Sequence, residues 1–96
     1  MNLTMLILSE NQISDLAPLA NLANLTSLEL RNNQISNLAT LSGLTNLIQL
    51  RLGGNQISDI TPLASLTNLT ELELEDNHQV TDWSPVEHVQ NVEGRY

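Results

Sequence analysis

The stretch LTSLELRNNQISNLATLSGLTN, residues 25–46, decides the fold because the chain repeats it. Shifted by 22 residues either way, it returns as LTMLILSENQISDLAPLANLAN (residues 3–24) and LIQLRLGGNQISDITPLASLTN (residues 47–68). A fourth unit, LTELELEDNHQVTDWSPVEHVQN (residues 69–91), is one residue longer, and a partial fifth opens at Val92. Leu6, Leu28, Leu50 and Leu72 form one column of this array, and Leu8, Leu30, Leu52 and Leu74 the next. Self-similarity at such a period marks a stack of supersecondary units, none of which buries its own apolar face alone. Residues 1–96 therefore read as a single repeat domain.

Each unit has two halves. In Leu28-Glu29-Leu30 and its counterparts, a period of two gives a short strand with leucines inward and variable residues outward. After the Asn, the apolar positions fall three apart, as in Leu16, Leu19, Leu22 and Leu25, which suits a 3₁₀-like coil better than an α-helix. Pro18, Pro62 and Pro85 sit early in that coil, where a fixed φ and a missing donor are tolerated. Thr61 and Ser84 precede two of these prolines and are the candidate caps. The expected fold is an α/β solenoid, a right-handed superhelix with a short-stranded parallel concave sheet and 3₁₀-like convex returns.

The Asn column, Asn11, Asn33, Asn55 and Asn77, reads as a structural ladder. A carboxamide both donates and accepts, so it satisfies backbone groups that a buried turn leaves open. Removing one is expected to cost ~1–3 kcal/mol, the penalty of orphaned partners.

Composition narrows the function. The chain holds 41% hydrophobic residues and a formal net charge of −8, with 11 Asp+Glu against three Arg and no Lys. Phosphate binding needs clustered cations, so DNA, RNA and anionic membrane surfaces are poor partners, and no nucleic acid is expected. No apolar run approaches the ~18 residues of a membrane span, and no basic, hydrophobic leader precedes Leu3, so neither membrane insertion nor a signal peptide is expected in this chain. Absence of Cys removes disulfides, thiolate catalysis and Cys-type zinc sites.

The pattern LxxLxLxxNxIsdLxpLxxLtN, matched across four units, resembles the 22-residue leucine-rich repeat of bacterial internalin-like proteins. The resemblance implies the solenoid fold and a cell-surface or secreted setting. Its members include surface adhesins and regulatory phosphatase subunits, which share a scaffold and differ in the face they present. It further implies a non-catalytic protein-binding module with no cofactor.

In such an array, function resides in what the repeat leaves free. The outward positions form columns: Met5, Ser27, Gln49, Glu71; Ile7, Glu29, Arg51, Glu73; Ser9, Arg31, Gly53, Glu75; and Glu10, Asn32, Gly54, Asp76. Neighbours in a column lie about 4.8 Å apart. Arg51 falls between Glu29 and Glu73, a cross-strand charge ladder worth at most ~1 kcal/mol per contact when solvated. Glu71, Glu73, Glu75 and Asp76 concentrate acid in the fourth unit. Side chains on one strand face diverge by roughly 6–7 Å, and no glycine-rich calcium loop accompanies them, so they read as a solvated patch that attracts a basic partner rather than a Ca²⁺ site. Gly53 and Gly54 read equally as a turn or as a notch beside that patch. The candidate partner-binding residues are Glu29, Arg31, Gln49, Arg51, Glu71, Glu73 and Glu75, on the concave face.

The ends depart from the repeat. Met5 and Ile7 are apolar where other units are polar, and their strand opens the sheet with an unpaired edge. Met1 and Asn2 stand in place of a polar cap, so the chain reads as a fragment or designed array cut at a repeat boundary. This makes self-association through Met5 and Ile7, a homo-oligomer of a structural unit, the alternative function; binding a phosphatase is a third, resting on family breadth alone. At the other end, Trp83 and Val86, Val89 and Val92 replace leucines, with Trp83 expected to close the stack, and Gly94-Arg95-Tyr96 reads as an exit. His78 and His88 share no metal-ligand spacing, and neither a triad nor a phosphate-binding glycine motif occurs, so no catalytic or metal site is expected.

Overall fold

A computed structural model describes residues 3–94; Met1, Asn2, Arg95 and Tyr96, which carry the expected cap position and exit, lie outside it. Five strands, β1 (Met5–Ile7), β2 (Ser27–Glu29), β3 (Gln49–Arg51), β4 (Glu71–Glu73) and β5 (Asn91–Glu93), form one parallel sheet in chain order. Between them run single 3₁₀ turns at Ala17–Leu19, Ala39–Gly43, Thr61–Ser65 and Ser84–Val86. The helical half is 3₁₀ throughout the described residues, as the three-residue spacing requires.

The ladder outlasts the short strands. Leu30 N–H donates to the Arg51 carbonyl and Asn32 N–H to that of Gly53, both at 2.8 Å, and the neighbouring coils repeat both bonds. The chain then turns through a left-handed residue in every unit: Glu10, Asn32, Gly54 and Asp76 have φ of 61°, 58°, 72° and 60°. These four are thus the turn, not a fourth outward strand column. Left-handed backbone is open to Gly and tolerated by Asn and Asp. Gly54 sits there for that reason, and Glu10 is the residue least suited to it.

This turn aims the following Asn inward. In the third coil, Asn55 Nδ2 donates to the carbonyls of Leu30 and Leu52 at 3.0 and 2.8 Å, while its Oδ1 accepts from Ile35 N–H at 3.0 Å. Asn33 and Asn77 make the same bonds in their coils, so each carboxamide ties its own unit to the one before. Asn11 is exposed, and among the described residues it reaches Leu8 and Ser9 of its own coil but no other coil.

The returns are capped by a column not foreseen in the sequence. Asp15, Asn37, Asp59 and Asp82 accept from the backbone N–H two residues on, at 2.9–3.0 Å. Thr61 and Ser84, the expected caps, are the donors instead: their N–H groups and hydroxyls donate to Asp59 and Asp82 and hold both carboxyls below the usual range. Such Asx turns fix the chain direction before the first 3₁₀ residue.

Apart from the exposed Ile48, the leucines and isoleucines of the middle coils are almost wholly buried between sheet and returns. Each contributes about 1.5–3 kcal/mol of transfer free energy. Leu3, Leu6, Leu8, Ile13 and Leu22 at one end, and Val92 at the other, are only partly covered. Trp83 is buried in the core with Val86 and Val89.

Candidate functional site

The sheet presents two outward columns in register, Met5-Ser27-Gln49-Glu71-Asn91 and Ile7-Glu29-Arg51-Glu73-Glu93. Asn91 and Glu93 were not identifiable by repeat spacing. Val92 pairs with Leu72, the strand centre, because only the short link after Val89 precedes it, whereas a longer turn joins Leu66 to Leu72. The one-residue insertion at His78 and this shortened link together break the 22-residue offset.

The first column carries a chain of side-chain hydrogen bonds. Ser27 Oγ donates to Gln49 Oε1 at 3.4 Å, and Gln49 Nε2 donates to Glu71 Oε1 at 3.2 Å. Glu71 itself remains exposed. The third column is tied in by Arg31 N–H, which donates to Ser9 Oγ at 3.1 Å.

Glu73 departs most from expectation. It is only 6% exposed, not part of a solvated patch. Its carboxylate accepts from Gly53 N–H at 2.9 Å and from Glu75 N–H at 3.2 Å, and stands 3.8 Å from Arg31 Nε. Arg51 lies between Glu29 and Glu73 in register. Even so, among the described residues the ion pair of Glu73 is with Arg31, two coils away.

Gly53 makes this contact possible. A Cβ there would collide with both carboxylate oxygens of Glu73. The notch foreseen beside the acidic residues therefore exists at Gly53 and is filled by the Glu73 side chain, while Gly54 is the turn. A buried carboxylate with two N–H donors and a guanidinium is satisfied, which permits its burial.

What remains free on this face is Met5 and Ile7, 57% and 61% exposed, at one end. Glu71, Glu75 and Glu93 are exposed at the other, with Glu29 and Arg51 half-buried between them. A depression of about 200 Å³ is lined by Ser9, Glu10, Glu29, Arg31 and Asn32. The recess around Arg51, Glu71, Glu73 and Glu93 holds only about 10 Å³, the scale of one water molecule. Neither is a deep ligand cleft.

His78 stands 3.8 Å from Asp76, both well exposed, and His88 Nε2 lies 2.9 Å from the Leu66 carbonyl in another part of the coil. Among the described residues no group of three His, Asp or Glu side chains is arranged to hold a metal ion, and no helix is long and apolar enough to cross a membrane.

The family profile described as leucine-rich repeats in two copies matches residues 2–43 and 45–88. Internalin C2 of Listeria monocytogenes superposes with a TM-score of 0.90 at 47% identity, over 95% of this chain and 41% of its own. The internalin InlF of the same species gives 0.91 at 42% identity, over 95% and 28%. A leucine-rich-repeat protein of Leptospira interrogans gives 0.83 at 29% identity, over 96% and 25%. The chain thus spans less than half the length of these relatives. Among curated proteins nothing matches. With its repeats matched twice over by the family profile and its coil geometry similar to that of the Listeria internalins, the chain belongs to the leucine-rich-repeat family.

Proposed function

We propose that this chain is a non-catalytic module that binds another protein through the concave face of its sheet. Leucine-rich repeats commonly mediate protein–protein interaction, and internalin-like members are typically non-catalytic, which supports the general class. One observation carries the choice of face: the core columns stay apolar from coil to coil, Leu, Ile or Val with Trp83 the one aromatic among the described residues, while the outward columns mix apolar, polar, acidic and basic residues. The core thus constrains neither Gln49, Arg51 nor Glu71 to its present residue type.

A photo-crosslinking side chain at Gln49, set against one at the convex residue Ala64, tests the face. Adducts to a discrete protein from position 49 alone are expected. Adducts from position 64 alone, or an Arg51→Glu variant that captures the same protein undiminished, would count against the concave face. Glu73 is unsuited to this test because its carboxylate holds Gly53 N–H.

A second reading, self-association, is favoured by the exposure of Met5 and Ile7 beside an open strand edge. Light scattering across a hundredfold dilution addresses it. An oligomer that persists in a Met5→Ser/Ile7→Glu variant would exclude that route.

A further inference from the structure

Resting on the concave-face reading, we propose that the partner presents a basic amphipathic segment, with its apolar side chains on Met5 and Ile7 and its Lys or Arg groups on Glu71 and Glu93. Chemistry along this face runs in one direction. β1 offers Met5 and Ile7; β2 and β3 offer Ser27, Glu29, Gln49 and Arg51; β4 and β5 offer Glu71, Asn91 and Glu93. The gradient lies on adjacent strands of one sheet, so both ends face the same occupant.

The charge balance on the face becomes clear only after internal pairs are removed. Arg31 and Glu73 neutralise each other across Gly53. That leaves Arg51 against Glu29, Glu71, Glu75 and Glu93, a surface with excess negative charge. The chain as a whole carries −8. An acidic partner is repelled by both, and so is a second copy of this chain laid along the face. A cationic segment is steered toward it.

The dimensions set the spacing of the partner's groups. Met5 to Glu71 is three strand steps, about 14 Å, and Ile7 to Glu93 is four, about 19 Å. A helix covers that distance in roughly 10–13 residues. An apolar cluster at one end and basic residues about three turns later therefore match the face; the same residues interleaved do not.

The probe is a display library of linear peptides of about 20 residues, long enough to include that span, panned on the full chain. Peptides with segregated apolar and Lys/Arg clusters are expected to be enriched. Binding of a selected peptide should weaken about tenfold or more in Met5→Ser/Ile7→Ser and likewise in Glu71→Lys/Glu93→Lys, and should fall with added salt in the wild type. All four side chains are exposed, so unchanged thermal unfolding is the control on folding. The proposal is overturned by enrichment of acidic or wholly polar peptides, by indifference to either double variant, or by no enrichment. It is equally overturned by a dimer that Met5→Ser/Ile7→Ser dissolves, since a second copy then owns the apolar pair. A protein adduct at position 49 would survive each of these results, so the two readings fail separately.

Discussion

The first and third coils share a sequence pattern and the same strand, turn and 3₁₀ return, but differ in how far the pattern's leucines are buried. In residues 47–68, Leu47, Leu50, Leu52, Ile57, Ile60, Leu63 and Leu66 are almost fully buried, with a coil on either side. In residues 3–24, Leu3, Leu6, Leu8, Ile13 and Leu22 are only partly covered, because β1 is the edge of the described sheet. A repeat residue therefore has no energy of its own. Its contribution depends on how many neighbouring coils it touches, as expected of a quasi-one-dimensional protein.

The largest break in the comparison should come from the leucine columns. Leu50→Ala is expected to cost about 2–5 kcal/mol, and Leu6→Ala, at the equivalent position, less than half of that. Equal shifts in the urea midpoint would show that the first coil is packed as tightly as the third. Next come the carboxamides. Asn55→Ala leaves the groups of two coils unpaired and should cost ~2–3 kcal/mol, whereas Asn11→Ala should stay within about 0.5 kcal/mol. Chemical denaturation of the two variants side by side measures the difference directly.

The turn column sharpens the same contrast with opposite signs. Gly54→Ala places a side chain at φ 72°, against the Asn32 carboxamide, and should destabilise by about 1–2 kcal/mol. Glu10→Gly relieves the same conformation in the first coil and should stabilise by up to about 1 kcal/mol. The smallest effect is in acid. Asp59 and Asp82 have carboxyls held low by their Thr61 and Ser84 partners. Their contribution is complete above the unfolded-state pKa, near pH 4, and is lost as pH falls through the lower folded value. Asp59→Asn/Asp82→Asn keeps the acceptor, as Asn37 already shows, but removes the titration. Its stability should decline less steeply below pH 4 in a pH series of thermal melts.

Much of the candidate face was legible in advance because a strand's alternation and a fixed repeat leave little freedom. Glu29, Gln49, Arg51 and Glu71 stand in the expected columns. Asn91 and Glu93 were hidden, since an insertion and a shortened link shift the last strand off the period. The capping column Asp15, Asn37, Asp59 and Asp82 carries a readable signal, an Asx residue two before each return, beside which the hydroxyls of Thr61 and Ser84 offer a competing cap of the same chemistry. Glu73 is buried rather than solvated for a reason that its own repeat position does not carry. Its fate depends on a side chain that is missing one coil away, at Gly53, and on a guanidinium two coils away, at Arg31.

The sequence by itself determined the period, the strand and 3₁₀ halves of each coil, the leucine columns and the Asn ladder. All of these follow from local periodicity multiplied by repetition, where every unit votes for the same conformation. Only the tertiary structure decided which charges stay exposed on the outward face of the sheet. It closed Glu73 onto Gly53 and Arg31, left Met5 and Ile7 open, and brought Glu93 into line with Arg51. Those outcomes belong to departures from the repeat, and a departure acquires meaning only from the particular side chain, or missing side chain, on the coil against which it packs.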